Sequence, residues 1–187
     1  MKVTQGTRAK IQAVALELFT EQGYEKTSLR EVAERLGVTK AALYYHFKSK
    51  DEIVTSLVDD RMNGLDEVIK LAEGMPADAQ SRRVILTDYA DAFFGTDQNL
   101  VMRFFEQNQT LIKTLEVGQR MRERLMRIAE LLARPDTSVE GQLRAALSIF
   151  AIHSSAFAVQ ASDITIEERR AVALKVGFEL LDRIDRA

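Results

Sequence analysis

The sequence predicts an all-α protein: an N-terminal three-helix bundle with a helix-turn-helix, then a C-terminal helical domain, about nine helices in total. Three observations predict it. Apolar residues recur at helical spacing in segment after segment, with no sustained strand alternation. Three of these stripes are preceded by Ser or Thr with Glu three residues on, the reciprocal capping pattern of a helix N-terminus. Only two Pro and nine Gly interrupt 187 residues, which leaves little irregular chain.

In residues 7–22, TRAKIQAVALELFTEQ, Ile11, Val14, Ala15, Leu18 and Phe19 share one face, and Gly23 supplies a left-handed stop. Ser28 and Glu31 open a second helix whose stripe is Leu29, Val32, Ala33 and Leu36, ending before Gly37. Thr39 is the N-cap candidate for a third short helix to about Phe47. Ser49 and Glu52 open a long fourth helix carrying Ile53, Val54, Leu57, Val58, Met62, Leu65, Ile69 and Leu71, closed by Gly74, Met75 and Pro76. Further helices are predicted over 78–94, 98–106 and 109–133, the last stopped by Arg134, Pro135 and Asp136. Segment 138–161 is apolar almost all round and is expected to be buried on more than one side. Thr165 and Glu168 cap the last helix, which bears Leu174, Val176, Phe178, Leu180, Leu181 and Ile184.

Composition narrows the function. With no cysteine there is no disulfide or thiolate metal site, and with no signal-peptide pattern the expected location is the reducing cytoplasm. No apolar run approaches the roughly 20 residues that cross a bilayer, so no membrane association is expected. Charge is divided unevenly. Residues 1–50 hold nine Lys or Arg against five Glu, a net +4, and the remainder carries −6. A basic head beside an acidic body fits a head that meets a polyanion.

Two short helices joined by a tight turn containing Gly form a helix-turn-helix pattern, whose second helix can enter a DNA major groove. At about 100° per residue, Leu43 and Phe47 face the core with Val32 and Leu36. Ala41, Ala42 and Tyr45 face the opposite way, with Tyr44 on the flank. The alanines allow close approach to base edges, while Tyr44, Tyr45 and His46 can hydrogen-bond phosphates or bases. Lys40, Lys48 and Lys50 can neutralise backbone charge. Thr27 and Ser28 stand where a helix N-terminus favours a phosphate.

Over residues 7–54 the text ALELFTEQGYEKTSLREVAERLGVTKAALYYHFKSKDEI resembles the N-terminal domain of TetR-family transcriptional regulators. The resemblance implies that Thr27, Ser28 and Arg30 lie on the DNA side of the second helix. It also implies Thr39, Lys40, Ala41, Ala42, Tyr44, Tyr45 and His46 on the recognition helix, and Lys50 on a phosphate. It further implies a helix-turn-helix domain at 1–50 and, over 51–187, a helical effector-binding domain that dimerises through its last two helices. The expected function is a homodimeric repressor, released by a small-molecule effector from a near-palindromic DNA operator.

Within the body, Tyr89, Phe93, Met102, Phe105, Phe150, His153 and Phe157 are candidates to line an effector pocket, because aromatic and Met side chains make adaptable apolar walls. The doubled apolar stripes of 138–161 and 165–186 suggest a four-helix interface with a two-fold mate. No cofactor, metal ligand set or catalytic residue is expected. Two histidines without a nucleophile or metal motif disfavour an enzyme, and a dyad of His153 with Ser154 or Ser155 would have its members pointing apart on a helix. The remaining alternative is a helical ligand-binding or protein-interaction module without operator binding. The absence of acidic residues between Glu34 and Asp51 argues against it.

Overall fold

The structure is a computed structural model that describes residues 3–95, 101, 104, 107–136, 138–158 and 164–184. Among them the chain forms nine helices and no strand: α1 (Val3–Gln22), α2 (Leu29–Leu36), α3 (Lys40–His46), α4 (Lys50–Glu73), α5 (Ala79–Phe94), α6 (Gln109–Thr114), α7 (Glu116–Ala133), α8 (Val139–Ala158) and α9 (Ile166–Leu181). The all-helical architecture is the expected one. Two of the three predicted capping boxes form completely, at Ser28 with Glu31 and at Thr165 with Glu168. The third is half made: Ser49 accepts from the Glu52 backbone N–H at 3.1 Å, but the Glu52 carboxylate turns to the Lys48 backbone N–H instead.

The chain falls into two compact units, Met1–Asp60 with Asp97–Gln119, and Arg61–Thr96 with Arg120–Ala187. This division differs from the expected 1–50 and 51–187. The first part of α4 belongs with the head, because Ile53, Val54, Leu57 and Val58 are buried core residues. The head also recruits chain from beyond residue 96.

In the first unit, Ile11, Ala15, Leu18 and Phe19 of α1, Val32 and Ala33 of α2, and Leu43 and Phe47 around α3 are buried as predicted. Each large apolar side chain so buried contributes about 1.5–3 kcal/mol relative to exposure. A polar lock ties α1 to α4: Gln12 donates to the Ser56 hydroxyl at 2.9 Å and to the Asp60 carboxylate at 2.8 Å, and Ser56 donates on to the Ile53 carbonyl at 2.8 Å. The expected single helix over 109–133 is two helices. Leu115 takes an extended backbone, φ −83° and ψ 139°, between α6 and α7. The following turn brings Gly118 so close to α6 that a Cβ there would lie 2.0 Å from the Ile112 carbonyl oxygen.

In the second unit, Ile85, Leu86, Tyr89, Ala90 and Phe93 of α5 share a core with Ala145, Ile149 and Ile152 of α8 and Ala173, Leu174 and Leu181 of α9. Gly177 permits the close approach of α9 to α5, since its Cβ would stand 2.6 Å from Leu86 Cδ2. Ion pairs brace the rim: Arg124 grips Asp66 through two nitrogens at 2.7 and 3.1 Å, and Arg127 meets Glu73 at 2.8 Å. The expected burial of segment 138–161 on several sides is not met within one chain. Leu143, Leu147 and Phe150 of α8 are exposed, as are Val172 and Val176 of α9. Leu71, read as part of the α4 stripe, is exposed too, and Val68 is buried in its stead.

Candidate nucleic-acid interface

The turn between α2 and α3 is built by Gly37, which holds φ 72° at the end of α2. A side-chain-bearing residue in this left-handed region costs roughly 1–2 kcal/mol. Gly37 donates to the Glu34 carbonyl at 3.2 Å and Val38 to Ala33 at 3.0 Å, closing the last turn of α2 in the manner of a Schellman motif. Thr39 then opens α3, its hydroxyl accepting from the Ala42 N–H at 3.2 Å. Leu43 and Phe47 anchor α3 in the core.

The outward side of α3 is thereby fixed. Lys40, Ala41, Ala42 and Tyr45 are exposed, Tyr45 to 75% of its surface, while Tyr44 and His46 are half-buried flanks. The Lys40 ammonium lies 5.4 Å from the Tyr44 ring centroid, and His46 meets Tyr45 edge on at 5.3 Å. Lys48 folds back to donate to the Tyr44 carbonyl.

Arg8 escaped the sequence reading. Its guanidinium lies 4.3 Å from the Phe47 ring centroid and donates to the His46 carbonyl at 3.4 Å, which places a cation at the C-terminal end of α3, where the helix dipole favours it. Nothing in the pattern around Arg8 distinguishes it from an ordinary polar residue of α1.

Around α2 the predicted residues separate. Ser28 is exposed at the N-cap, and Arg30 is exposed and paired with Glu34 at 2.7 Å. Thr27 is buried, its hydroxyl donating to the Gly23 carbonyl at 2.9 Å, so it serves the end of α1. Lys50 is also turned inward. It donates to the Tyr24 carbonyl at 2.6 Å and the Glu25 carbonyl at 3.3 Å, and lies 4.3 Å from the Tyr24 ring centroid. The Tyr24 hydroxyl donates to Asp51. Burial and that carboxylate push the Tyr24 phenol above its ordinary range.

This geometry coincides with residues 11–57, which match the family described as bacterial regulatory proteins, tetR family. The structure of the TetR-family regulator PfmR from Thermus thermophilus superposes with a TM-score of 0.66 at 25% identity, covering 95% of this chain and 97% of that one. The N-terminal helix-turn-helix domain is that of the TetR family. A helix-turn-helix-type regulator of Staphylococcus aureus (strain bovine RF122 / ET3-1) is 24% identical over 95% of this chain and 96% of its own length. The regulator AcrR of Shigella flexneri is 47% identical over 53 residues, 28% of this chain and 25% of that protein. Similarity to AcrR is therefore confined to a quarter of its length. The TetR family is one of transcription regulators and is not a class of enzymes.

Of the effector-pocket candidates, the structure brings three together. His153 Nε2 is hydrogen-bonded to the Tyr89 hydroxyl, and the imidazole stacks on Phe93 at 4.8 Å between centroids. Tyr89 and Phe93 are buried. Phe150 is 56% exposed. Met102 and Phe105, and the side chain of Phe157, lie outside the described residues. Ser154 and Ser155 donate to the Ala151 and Ile152 carbonyls of their own helix, at 3.2 and 2.7 Å. Among the described residues no acidic, His or Cys cluster could hold a metal ion, and no helix is long and apolar enough to cross a membrane.

Proposed function

We propose that this chain is a ligand-released homodimeric repressor of the TetR family, acting in the cytoplasm on a near-palindromic DNA operator. One observation carries the reading: α3 is anchored by Leu43 and Phe47 and turns Lys40, Ala41, Ala42 and Tyr45 outward together. A helix so presented fits the major groove, with the alanines against base edges, the tyrosines and His46 on phosphates or bases, and the exposed Ser28 N-cap on a backbone phosphate. The exposed stripe of Leu143, Leu147 and Phe150 with Val172 and Val176 supports self-association, because a patch of this kind on two adjacent helices calls for a partner surface. Two heads related by a two-fold axis then read half-sites about 34–36 Å apart, or a larger whole number of helical turns.

The effector is a small molecule taken up beside Tyr89, Phe93 and His153, where one polar pair is set among aromatic walls. It releases DNA by favouring the DNA-incompetent state, with a coupling of about 1–3 kcal/mol.

Selection of bound sequences from a random duplex pool, with wild type and Tyr45→Ala in parallel at one salt concentration, tests the reading. The wild type is expected to enrich a palindromic motif that the variant loses. A wild type that enriches nothing defeats it and leaves a ligand-binding module.

A further inference from the structure

The head takes one wall of its core from far along the chain. Phe104 is completely buried, its ring 5.5 Å from that of Phe19 and 6.3 Å from that of Tyr24, and those two meet edge on at 5.1 Å. Such aromatic pairs contribute beyond the area they bury, and they fix ring orientation. Tyr24 is also the residue to which the start of α4 is fastened. Its ring and carbonyl hold the Lys50 ammonium, and its hydroxyl holds Asp51. The turn containing Tyr24 leads straight into Ser28, the N-cap of α2. Tyr24 thus touches both ends of the helix-turn-helix: the approach to α2 and, just past α3, the first turn of α4.

We propose that Phe104 is a positioning residue of the DNA-binding head, acting through Tyr24 on Lys50 and Asp51 and so on the spacing between the entrance to α2 and the first turn of α4. The proposal rests on the operator-binding reading above. Without the Phe104 ring the Tyr24 ring loses a packing partner and can change its tilt, and the two charged groups fastened to it follow. Lys50 belongs to the same device. Its ammonium is committed to two carbonyls and a ring, so its removal disturbs geometry and leaves the number of phosphate contacts unchanged.

The test uses the full chain and the motif returned by pool selection, with affinity for that motif and for a scrambled duplex measured across a salt series. Phe104→Ala is expected to lose roughly tenfold in the ratio of specific to non-specific affinity, with an unchanged salt slope, and Phe104→Leu to keep most of that ratio. A purely structural residue would lower the melting midpoint and leave the ratio intact at temperatures below it, and that result overturns the proposal. Should Phe104→Ala fail to fold, Tyr24→Phe decides, and a wild-type ratio in it overturns the proposal. Lys50→Gln is expected to weaken binding at constant slope; a slope flatter by about 0.9 would instead place Lys50 on a phosphate. A wild type with no motif overturns the operator reading and this one with it. A wild type with a motif and unaltered variants overturns only the role of Phe104.

Discussion

Glu31 titrates below its ordinary range because the Ser28 hydroxyl and backbone N–H donate to it, and Glu168 is lowered in the same way at Thr165. Asp78 is lowered by the Ser81 N–H at the start of α5. A carboxylate whose folded pKa is depressed stabilises the fold above its unfolded pKa, about 4, and that contribution is lost as pH falls through the folded value. The melting midpoint is therefore expected to fall on acidification from about pH 5 to pH 3. A Glu31→Gln, Glu168→Gln double variant should show a shallower fall, which thermal melts at a series of pH values would check. These caps were legible because Ser or Thr three residues before Glu has a local meaning that needs no tertiary contact. Thr27 and Lys50 were not, since the same short hydroxyl or ammonium serves a phosphate or a carbonyl equally well. Only the path of the turn after Gly23 decides between them.

Among the elements, α3 shows how far periodicity reaches. Leu43 and Phe47 lie inside and Tyr45 outside as their spacing requires. Since Tyr45 packs little of its surface, Tyr45→Ala is expected to change stability by less than about 0.5 kcal/mol, as urea unfolding would measure, even while it abolishes motif enrichment. Segment 109–133 shows where periodicity stops. Its apolar pattern continues through Leu115, and the break follows from close packing of the next turn onto Ile112. That packing has a testable requirement. Gly118→Ala would drive a methyl group against the Ile112 carbonyl, and a loss of about 1–3 kcal/mol is expected in the same unfolding assay. An unchanged midpoint would mean that the turn re-forms without strain. Arg8 was invisible at this scale, because it neither interrupts nor extends any stripe, and the predicted helix over 98–106 does not say that its Phe104 packs on the head.

For the whole molecule, the apolar excess of the last two long helices is readable in the sequence, and the doubling of their stripes suggests a two-fold mate as its destination. The all-round pattern of 138–161 announces a second buried face, while which side chains form it is visible only in the folded chain. The structure leaves it uncovered in the single chain, with Val139 83% exposed at its start. Leu143→Glu with Phe150→Glu is accordingly expected to shift sedimentation from dimer to monomer. It should also weaken operator binding steeply, because each half-site would then be bound without its mate. A dimer that survives both charges would place the interface elsewhere.

The return of the chain to the head after residue 96 bears on how regulators of this kind can be recombined. A hybrid made by splicing residues 1–60 onto another protein's sensing body would carry every residue proposed to contact DNA, yet would meet a foreign side chain where Phe104 belongs against Phe19 and Tyr24. The graft needs two junctions. Moving the segment around Phe104 together with the N-terminal stretch is what should keep the transplanted head's choice of DNA sequence.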